Sequence, residues 1–407
     1  MRKVITIVFM GLMAVSPAGA QTATKPADPE VRTETLDARV SAGTLVAMSD
    51  SDVTVKTETG ARKIPLSDLS EMTCKAPGDP LSAPEHAVVM TSAGGYVTAS
   101  SLTLGGGKIN FTNSSLGGVS FAFSSVAAIY LPASGQSAAQ VAAKCAEMGL
   151  EPGEQDVVVV ARKTGGWLSV QGILKSADDK ALTFSWKGTD RQISMPTVRA
   201  VFLAPTTAAK PEKFRGMLTL GDGSSVRFTS LTYDKYVFNV ALSGAGETKM
   251  PAGKVASVKF VSDRVVNLGD LKPLAVKQHG LLDTTMGWRL NRSVSGAAIV
   301  LGGRSYSRGI GLHSFCELTY GLDAQYKALI ATIGIDDIVR PGGDASLTFL
   351  GDGKELLAPL RVTGKGKPLA VRIPLAGVKS FVIRVDYGKD KLDVGDHVDF
   401  AGARLIK

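Results

Sequence analysis

The chain has 407 residues and a formal net charge of +9, with 46 Lys and Arg residues against 37 Asp and Glu residues. This length exceeds what one hydrophobic core usually serves, so two or three domains are expected. The basic residues are scattered and form no dense run. Such a distribution is that of an ordinary solvated surface and excludes the basic stripe typical of nucleic-acid-binding proteins, so no nucleic-acid partner is expected.

The N-terminal residues have the pattern of a secretory signal peptide. Arg2 and Lys3 precede an apolar run at 4–15, and the small residues Ala18, Gly19 and Ala20 follow. The apolar run is shorter than the roughly 20 residues that a membrane-spanning helix needs. We therefore predict a signal peptide at 1–20, a flexible leader at 21–35, and a periplasmic or secreted protein that is not membrane-spanning.

Three cysteines occur in a chain that is expected to enter an oxidising compartment. They allow at most one internal disulfide, so a Cys74–Cys145 pair and three free thiols are both left open. Cys316 alternates with apolar residues and is expected to be a buried core thiol.

One pattern of apolar residues recurs four times with the same internal spacing. Its members are Ile64, Leu69, Met72 and Cys74; Phe121, Val126, Ile129 and Leu131; Ile193, Val198, Val201 and Leu203; and Met250, Val255, Val258 and Phe260. The distances between copies alternate between short and long, which indicates that a two-part unit is duplicated. Because one copy would bury little apolar area, pairing of the copies within each two-part unit is expected.

Turn signals precede the recurring pattern and indicate small antiparallel β units. Gly94-Gly95, Gly165-Gly166 and Asp222-Gly223 stand between alternating apolar residues, as in tight hairpins. Between the two units, an Ala-rich segment that ends at Gly149 predicts one short helix. We predict a first two-part β unit at 36–132, a helical connector at 133–155 and a second two-part β unit at 156–262.

The segment 263–407 has a different pattern, with many short strands and little helix, which predicts a β-sandwich. Within it, five segments resemble the NPCBM/NEW2-type module, the carbohydrate-binding module first noted beside the catalytic domain of family 98 glycoside hydrolases. They contain Gly309-Ile310-Gly311-Leu312-His313, Leu318-Thr319-Tyr320, Gly334-Ile335-Asp336-Asp337, Gly351-Asp352-Gly353-Lys354 and Asp396-His397-Val398-Asp399-Phe400.

The resemblance implies a fold and a ligand class for this part of the chain. The expected fold is all-β, with duplicated small antiparallel β-barrel-like units followed by a galactose-binding-like jelly-roll β-sandwich. The succession of units also resembles the layout of secreted proteins of planctomycete-type bacteria. The family usually has Trp at the position of Phe400, so sugar affinity is expected to fall if this aromatic ring contacts the ligand, and to change little if it packs in the core.

Side chains that can stack on a sugar or hydrogen bond to its hydroxyls mark the candidate site of this module. The predicted carbohydrate-binding residues are Trp288, Arg289, His313, Asp336, Asp337 and His397. Structural roles are equally open: a core position for Trp288, a scaffold hydrogen bond for His313, and turn capping for Asp336 and Asp337. Because sandwiches of this kind often hold Ca²⁺ through oxygen ligands, Asp336, Asp396 and Asp399 are the candidate metal ligands.

The sequence favours a binding protein over an enzyme. It has neither a His-Glu-x-x-His zinc motif nor a Gly-x-Ser-x-Gly elbow. The leading hypothesis is an exported, non-catalytic protein that binds a polysaccharide or glycoconjugate through its C-terminal sandwich, with the repeated units as spacers or protein-interaction domains. The alternative is a structural or assembly protein with cell-envelope partners, and a glycoside hydrolase is a third hypothesis.

Overall fold

The structure is a computed structural model that describes residues 28–75, 87–151, 153–205, 213–281 and 285–407. The predicted signal peptide at 1–20 lies outside these residues. Across the described ranges, no helix is both long enough and apolar enough to cross a membrane.

The first part of the chain forms four similar β units, which we call repeats 1 to 4. Repeat 1 contains β1 (Glu30–Thr35), β2 (Val40–Met48), β3 (Asp52–Thr57), β4 (Gly60–Pro65) and β5 (Leu69–Cys74). Repeat 2 contains β6 (Ala87–Thr91), β7 (Tyr96–Ala99), β8 (Ser101–Gly105), β9 (Lys108–Asn113), β10 (Gly117–Ala122) and β11 (Val126–Tyr130). Repeat 3 contains β12 (Asp156–Ala161), β13 (Trp167–Ala177), β14 (Ala181–Trp186), β15 (Thr189–Ser194) and β16 (Val198–Phe202). Repeat 4 contains β17 (Gly216–Leu220), β18 (Ser225–Asp234), β19 (Val237–Leu242), β20 (Gly246–Pro251) and β21 (Val255–Phe260).

Each repeat is an antiparallel meander in which the last strand returns to pair with the first, as β5 pairs with β1. The recurring apolar pattern covers the end of the penultimate strand, a single 3-10 turn and the last strand. The 3-10 turns are Leu66–Asp68, Phe123–Ser125, Met195–Thr197 and Ala252–Lys254. The predicted β-barrel-like units are therefore present. β1 begins at Glu30, inside the segment predicted as a flexible leader, because Val31 and Thr33 point into the core.

The repeats pair in a nested order, which corrects the expected pairing within each two-part unit. β5 of repeat 1 pairs with β21 of repeat 4, and β11 of repeat 2 pairs with β16 of repeat 3. Buried residues of all four repeats belong to one hydrophobic cluster.

The connecting helix explains why repeats 2 and 3 are partners. The predicted helix is present as α1 (Ala138–Glu147), with a capping box in which Ser137 and Gln140 each bond the other's backbone N–H. Its buried face, Val141 and Cys145, packs on Ala128 of β11 and Ala200 of β16. The helix thus covers the junction between the two repeats.

The C-terminal module is a sandwich of two antiparallel sheets. Its strands are β22 (Val265–Asn267), β23 (Ala275–Gln278), β24 (Arg289–Leu290), β25 (Ile299–Leu301), β26 (Arg304–Tyr306), β27 (Gly309–Leu312), β28 (Cys316–Gly321), β29 (Ala328–Ile335), β30 (Asp344–Gly351), β31 (Lys354–Glu355), β32 (Leu360–Thr363), β33 (Leu369–Pro374), β34 (Ser380–Tyr387) and β35 (Val398–Ile406). Two further 3-10 turns lie at Leu268–Asp270 and Asp337–Val339. One sheet has the order β24-β27-β35-β29-β33 with β22 beside β35; the other has β23-β28-β34-β30-β31 with β32 beside β30.

Aromatic rings and a thiol fill the space between the two sheets. Phe400 is fully buried, and its ring meets Phe349 edge-on at 6.1 Å between centroids. The Phe400 departure from the family motif therefore lies in the core. Cys316 is buried there as predicted, and Cys74 and Cys145 are also free, buried thiols.

The sandwich docks against repeat 1 through β35. Arg404 donates to Glu34 Oε1 at 3.0 Å and to the carbonyl oxygen of Leu36 at 3.2 Å. Leu36 packs with Ile330 and Ile406 of the module.

Candidate functional site

One end of the sandwich gathers the residues that the sequence singled out. At this end β27, β29 and β34 finish and β28, β30 and β35 begin. We call it the loop end and define it by the described segments 279–281, 285–288, 313–315, 336–343 and 388–397. Of the predicted residues, it contains Trp288, His313, Asp336, Asp337, Asp396 and His397, with Asp399 at the start of β35 and Arg289 at the start of β24.

Asp336 is an internal carboxylate that orders two neighbouring segments. Only 1% of the residue is exposed. Its Oδ1 accepts from the backbone N–H of Ile338 at 2.9 Å, and its Oδ2 accepts from that of Val300 at 3.3 Å. The turn-capping role left open for this residue is therefore observed.

Asp396 is a second internal carboxylate and joins the two sheets. Its Oδ2 accepts from the Ser314 hydroxyl at 2.5 Å, and its Oδ1 accepts from the backbone N–H of Asp344 at 2.7 Å. Burial raises the pKa of Asp396 to about 6.

Asp399 is fully buried, and neither of its carboxyl oxygens has a hydrogen-bond partner among the described residues. Burial, and then the nearby Asp336 carboxylate, raise the pKa of Asp399 to about 10. Asp399 is therefore a neutral carboxylic acid at neutral pH.

Two histidine rings, His313 and His397, contact each other at the loop end. The His313 Nδ1 is 2.9 Å from the carbonyl oxygen of Ser314, to which it donates, so the scaffold role is observed for His313. His397 meets His313 edge-on at 5.6 Å between ring centroids, and its buried Nδ1 has no partner among the described groups. Burial, and then His313, lower the pKa of His397, which favours the neutral imidazole.

The remaining predicted sugar ligands have mainly structural contacts. Trp288 is half-buried and packs against the core. Arg289 is exposed, but its Nε donates to the carbonyl oxygen of Val294 at 2.9 Å. Asp337 accepts from the backbone N–H groups of Gly302 and Gly303, so it caps the turn between β25 and β26.

The proposed calcium ligands are not arranged as a metal site. Among the described residues, no group of three or more His, Cys, Asp or Glu side chains is placed to hold a metal ion. Both oxygens of Asp336 and of Asp396 already accept hydrogen bonds from the protein. The Ca²⁺ site stays a prediction, and no step of the proposed function depends on it.

Sequence reasoning missed an aromatic surface at the loop end, formed by His279, Phe315 and Tyr387. The exposed His279 ring stacks on Phe315 with centroids 4.6 Å apart and planes 7° apart. Tyr387 lies beside them, with its hydroxyl 3.4 Å from His279 Nδ1. Phe315 adjoins the quoted His313-Ser314 motif, which was an available signal, whereas His279 and Tyr387 lie far from it in sequence.

Comparisons with known proteins concern mainly this module. Residues 264–406 match the family model described as NPCBM/NEW2 domain. A "Putative endo-alpha-N-acetylgalactosaminidase" of Renibacterium salmoninarum is 33% identical over 90 residues, which are 22% of this chain and only 6% of that protein.

Two solved structures are also similar to the chain. The CBM51 module from Clostridium perfringens GH95, in complex with methyl-galactose, is 25% identical and has a TM-score of 0.31, over 35% of this chain and 99% of that one. The tandem CBM51 modules of a family 98 glycoside hydrolase from Streptococcus pneumoniae are 13% identical and have a TM-score of 0.30, over 61% and 88% of the two chains. The family match identifies residues 264–406 as an NPCBM/NEW2 domain and leaves the four repeats outside it.

Proposed function

We propose that this chain is an exported, non-catalytic protein that binds a glycan at the loop end of its C-terminal module. The observation that carries the proposal is the aromatic surface of His279, Phe315 and Tyr387, which lies above a buried polar network. Aromatic faces cover the C–H patches of a sugar, while imidazole and phenol groups hydrogen bond to its hydroxyls. The family match of residues 264–406 supports the same ligand class.

The buried acids position this surface and do not contact the ligand. Asp336, Asp396 and Asp399 are each at most 1% exposed, so a sugar cannot reach their oxygens without opening of the loops. Asp396 accepts a hydrogen bond from Ser314, and this bond holds in place the residue directly before Phe315. A stacking ring held in this way loses little entropy on binding, which favours affinity.

The same burial is an argument against glycoside hydrolysis at this site. Hydrolysis needs two carboxyl groups on either side of the scissile bond, roughly 5 to 9.5 Å apart. Asp336, Asp396 and Asp399 are inside the protein, and Asp399 holds its proton at neutral pH, so these three acids do not form such a pair. A binding role is therefore the function that the geometry supports.

The full-length protein should be tested on a glycan array, with methyl-galactose as the first monosaccharide in calorimetry. We expect His279→Ala and Tyr387→Ala each to weaken binding by roughly tenfold or more, because stacking and hydroxyl contacts are lost. Tyr96→Ala removes another exposed tyrosine, in repeat 2, and is the matched control. Failure of the folded chain to bind any arrayed glycan, or equal binding by all three variants, contradicts the proposal.

A further inference from the structure

Repeat 3 has an open groove that lies far from the loop end in sequence and belongs to a different part of the fold. Its volume is about 1220 Å³, and it is bounded by β13, the end of β14, and β15. Its lining includes Leu168, Ile173, Trp186, Lys187, Arg191 and Ile193. Ile173 and Trp186 are 62% and 37% exposed, so large apolar side chains face solvent at this groove.

In repeats 2 and 4 the position equivalent to Trp186 is covered, because these two repeats pack against each other there. Asn113 is the last residue of β9 and is equivalent to Trp186, the last residue of β14. The Asn113 Nδ2 donates to Asp222 Oδ2 of repeat 4 at 2.6 Å. Thr248 of β20 donates in return to the carbonyl oxygen of Leu116 in repeat 2. As a result Leu242, the corresponding residue at the end of β19, is buried.

In repeat 1 two side chains bond to each other across the equivalent strands. The Arg62 guanidinium, on β4, donates to the Ser41 hydroxyl, on β2, at 2.6 Å. Ser41 stands two residues before Gly43, and the residue in the same place before Gly172 is Val170. Repeat 3 therefore lacks this hydrogen bond, and its Arg191 lies over the Trp186 ring instead.

The first position of the recurring pattern is buried in three repeats but only half-buried in repeat 3. Ile64, Phe121 and Met250 are the first residues of the recurring pattern in repeats 1, 2 and 4. They lie near the end of the penultimate strand of each repeat, and all three are buried. Ile193 occupies the equivalent position in repeat 3 and is only half-buried at the wall of the groove. Open pockets of about 420 and 340 Å³ lie on the equivalent strands of repeats 2 and 4, so the groove of repeat 3 differs by its volume of about 1220 Å³ and by its exposed apolar side chains.

The chemistry of the groove favours a peptide over a sugar. Lys187 and Arg191 lie over the Trp186 ring at 5.0 and 5.1 Å from its centroid, so the ring is not free to stack on sugar C–H groups. Leu168 and Ile173 offer aliphatic contacts instead. Of the described strands only β14 pairs with β15, so the outer backbone edge of β15 is available to an extended chain.

The positive charge of the groove favours an acidic peptide. The lining includes two cations, Lys187 and Arg191, and no carboxylate among the described residues. Asp190, next to the lining on β15, is already paired with Lys175 at 2.9 Å. We propose that the groove of repeat 3 binds an extended segment of another protein in which acidic and aliphatic side chains alternate.

The full-length chain should be titrated with a short fluorescein-labelled peptide of alternating Glu and Val, and with peptides in which Lys replaces Glu or Ser replaces Val. We expect saturable binding of the Glu-Val peptide that is at least about tenfold tighter than that of the other two and weakens as salt is raised. In a Trp167→Phe, Trp288→Phe background, the emission of Trp186 should shift to shorter wavelength as the ring is covered.

Arg191→Glu and Trp186→Ala should each weaken this binding by roughly tenfold. Lys249→Glu makes a comparable charge reversal on β20, the equivalent strand of repeat 4, and should leave binding unchanged. Alginate, a soluble polyanionic sugar, serves as competitor. Equal binding of the three peptides, binding that survives Arg191→Glu in a folded variant, or alginate binding in place of peptide binding overturns the proposal.

Discussion

The acidic residues of the recognised motifs act mainly inside the protein. Asp336 and Asp396 accept backbone and hydroxyl hydrogen bonds, and Asp399 keeps its proton because it is buried beside Asp336. The hydrogen bonds of Asp336 and Asp396 link the segments 336–343, 313–315 and 388–397 to β25 and β30, while the His279 ring is exposed. At this site the motif therefore fixes a scaffold for the proposed ligand-contacting residues.

The proton on Asp399 makes stability depend on pH. Its folded pKa of about 10 lies above the unfolded value of roughly 3.9, so its contribution is complete below about pH 4 and is lost as pH rises towards 10. We expect the unfolding free energy of the module to fall by up to about 1.4 kcal/mol per pH unit from this group. Asp399→Asn should remove that slope, measured by urea unfolding at several pH values and followed by Trp288 fluorescence in a Trp167→Phe, Trp186→Phe background.

Asp352→Asn is a control of opposite sign. The backbone N–H groups of Ser380 and Lys379 hold the pKa of Asp352 below its usual range, so its contribution is present at neutral pH and lost on acidification. If Asp399→Asn leaves the slope between pH 5 and 8 unchanged, Asp399 is not the group responsible.

The sequence predicted several residues that meet at the loop end but not which side chains are accessible there. The motifs bring His313, Asp336 and His397 together because strands β27, β29 and β35 are neighbours in one sheet. Burial depends on how the loops close over one another, which residue types do not reveal. His279 and Tyr387 enter the site only through tertiary packing, so no local pattern marks them.

At the scale of elements, the recurring pattern predicted the strands and turns well but not the partners of each repeat. Strand and hairpin signals are local, since alternation and glycine turns lie within a few residues. The pairing of β5 with β21 joins two edges at opposite ends of the repeat region. Which repeats pair depends on how well their surfaces fit and on α1, which covers the junction of β11 and β16.

An engineered disulfide tests the nested order. Thr73 and Ser257 are opposite each other on β5 and β21, at a separation that antiparallel partners and disulfides share. We expect Thr73→Cys with Ser257→Cys to oxidise to a cross-link between repeats 1 and 4, identified by mass spectrometry of proteolytic peptides. Thr73→Cys with Ala128→Cys would cross-link only if repeats 1 and 2 paired through their last strands, and should not react.

At the scale of the whole molecule, repeat 1 and the sandwich are joined by a largely buried ion pair. The side chains of Arg404 and Glu34 are 17% and 18% exposed, and Arg264 also bonds to Asp68 across the same boundary. In a pair with so little solvent contact, the desolvation of both charges offsets much of their attraction, but removal of one partner leaves the other buried and unsatisfied.

Arg404→Ala should therefore loosen the docking of the sandwich on repeat 1. We expect a loss of about 2 kcal/mol in the unfolding free energy and faster protease cleavage near residues 261–264. Arg372→Ala removes an exposed arginine from β33 and should change neither quantity by more than about 0.5 kcal/mol. Indistinguishable proteolysis of the two variants would show that the ion pair does not hold the boundary.

The nested pairing also determines when the repeat region can complete its folding during synthesis. Repeat 1 is synthesised before repeat 4, yet the edge of β5 is covered by β21, the last strand of the repeats. Until β21 emerges, β5 presents unpaired backbone groups that invite pairing with another chain. Folding of the repeat region is thus tied to the arrival of its final strand, and truncation within repeat 4 should leave repeat 1 prone to aggregation.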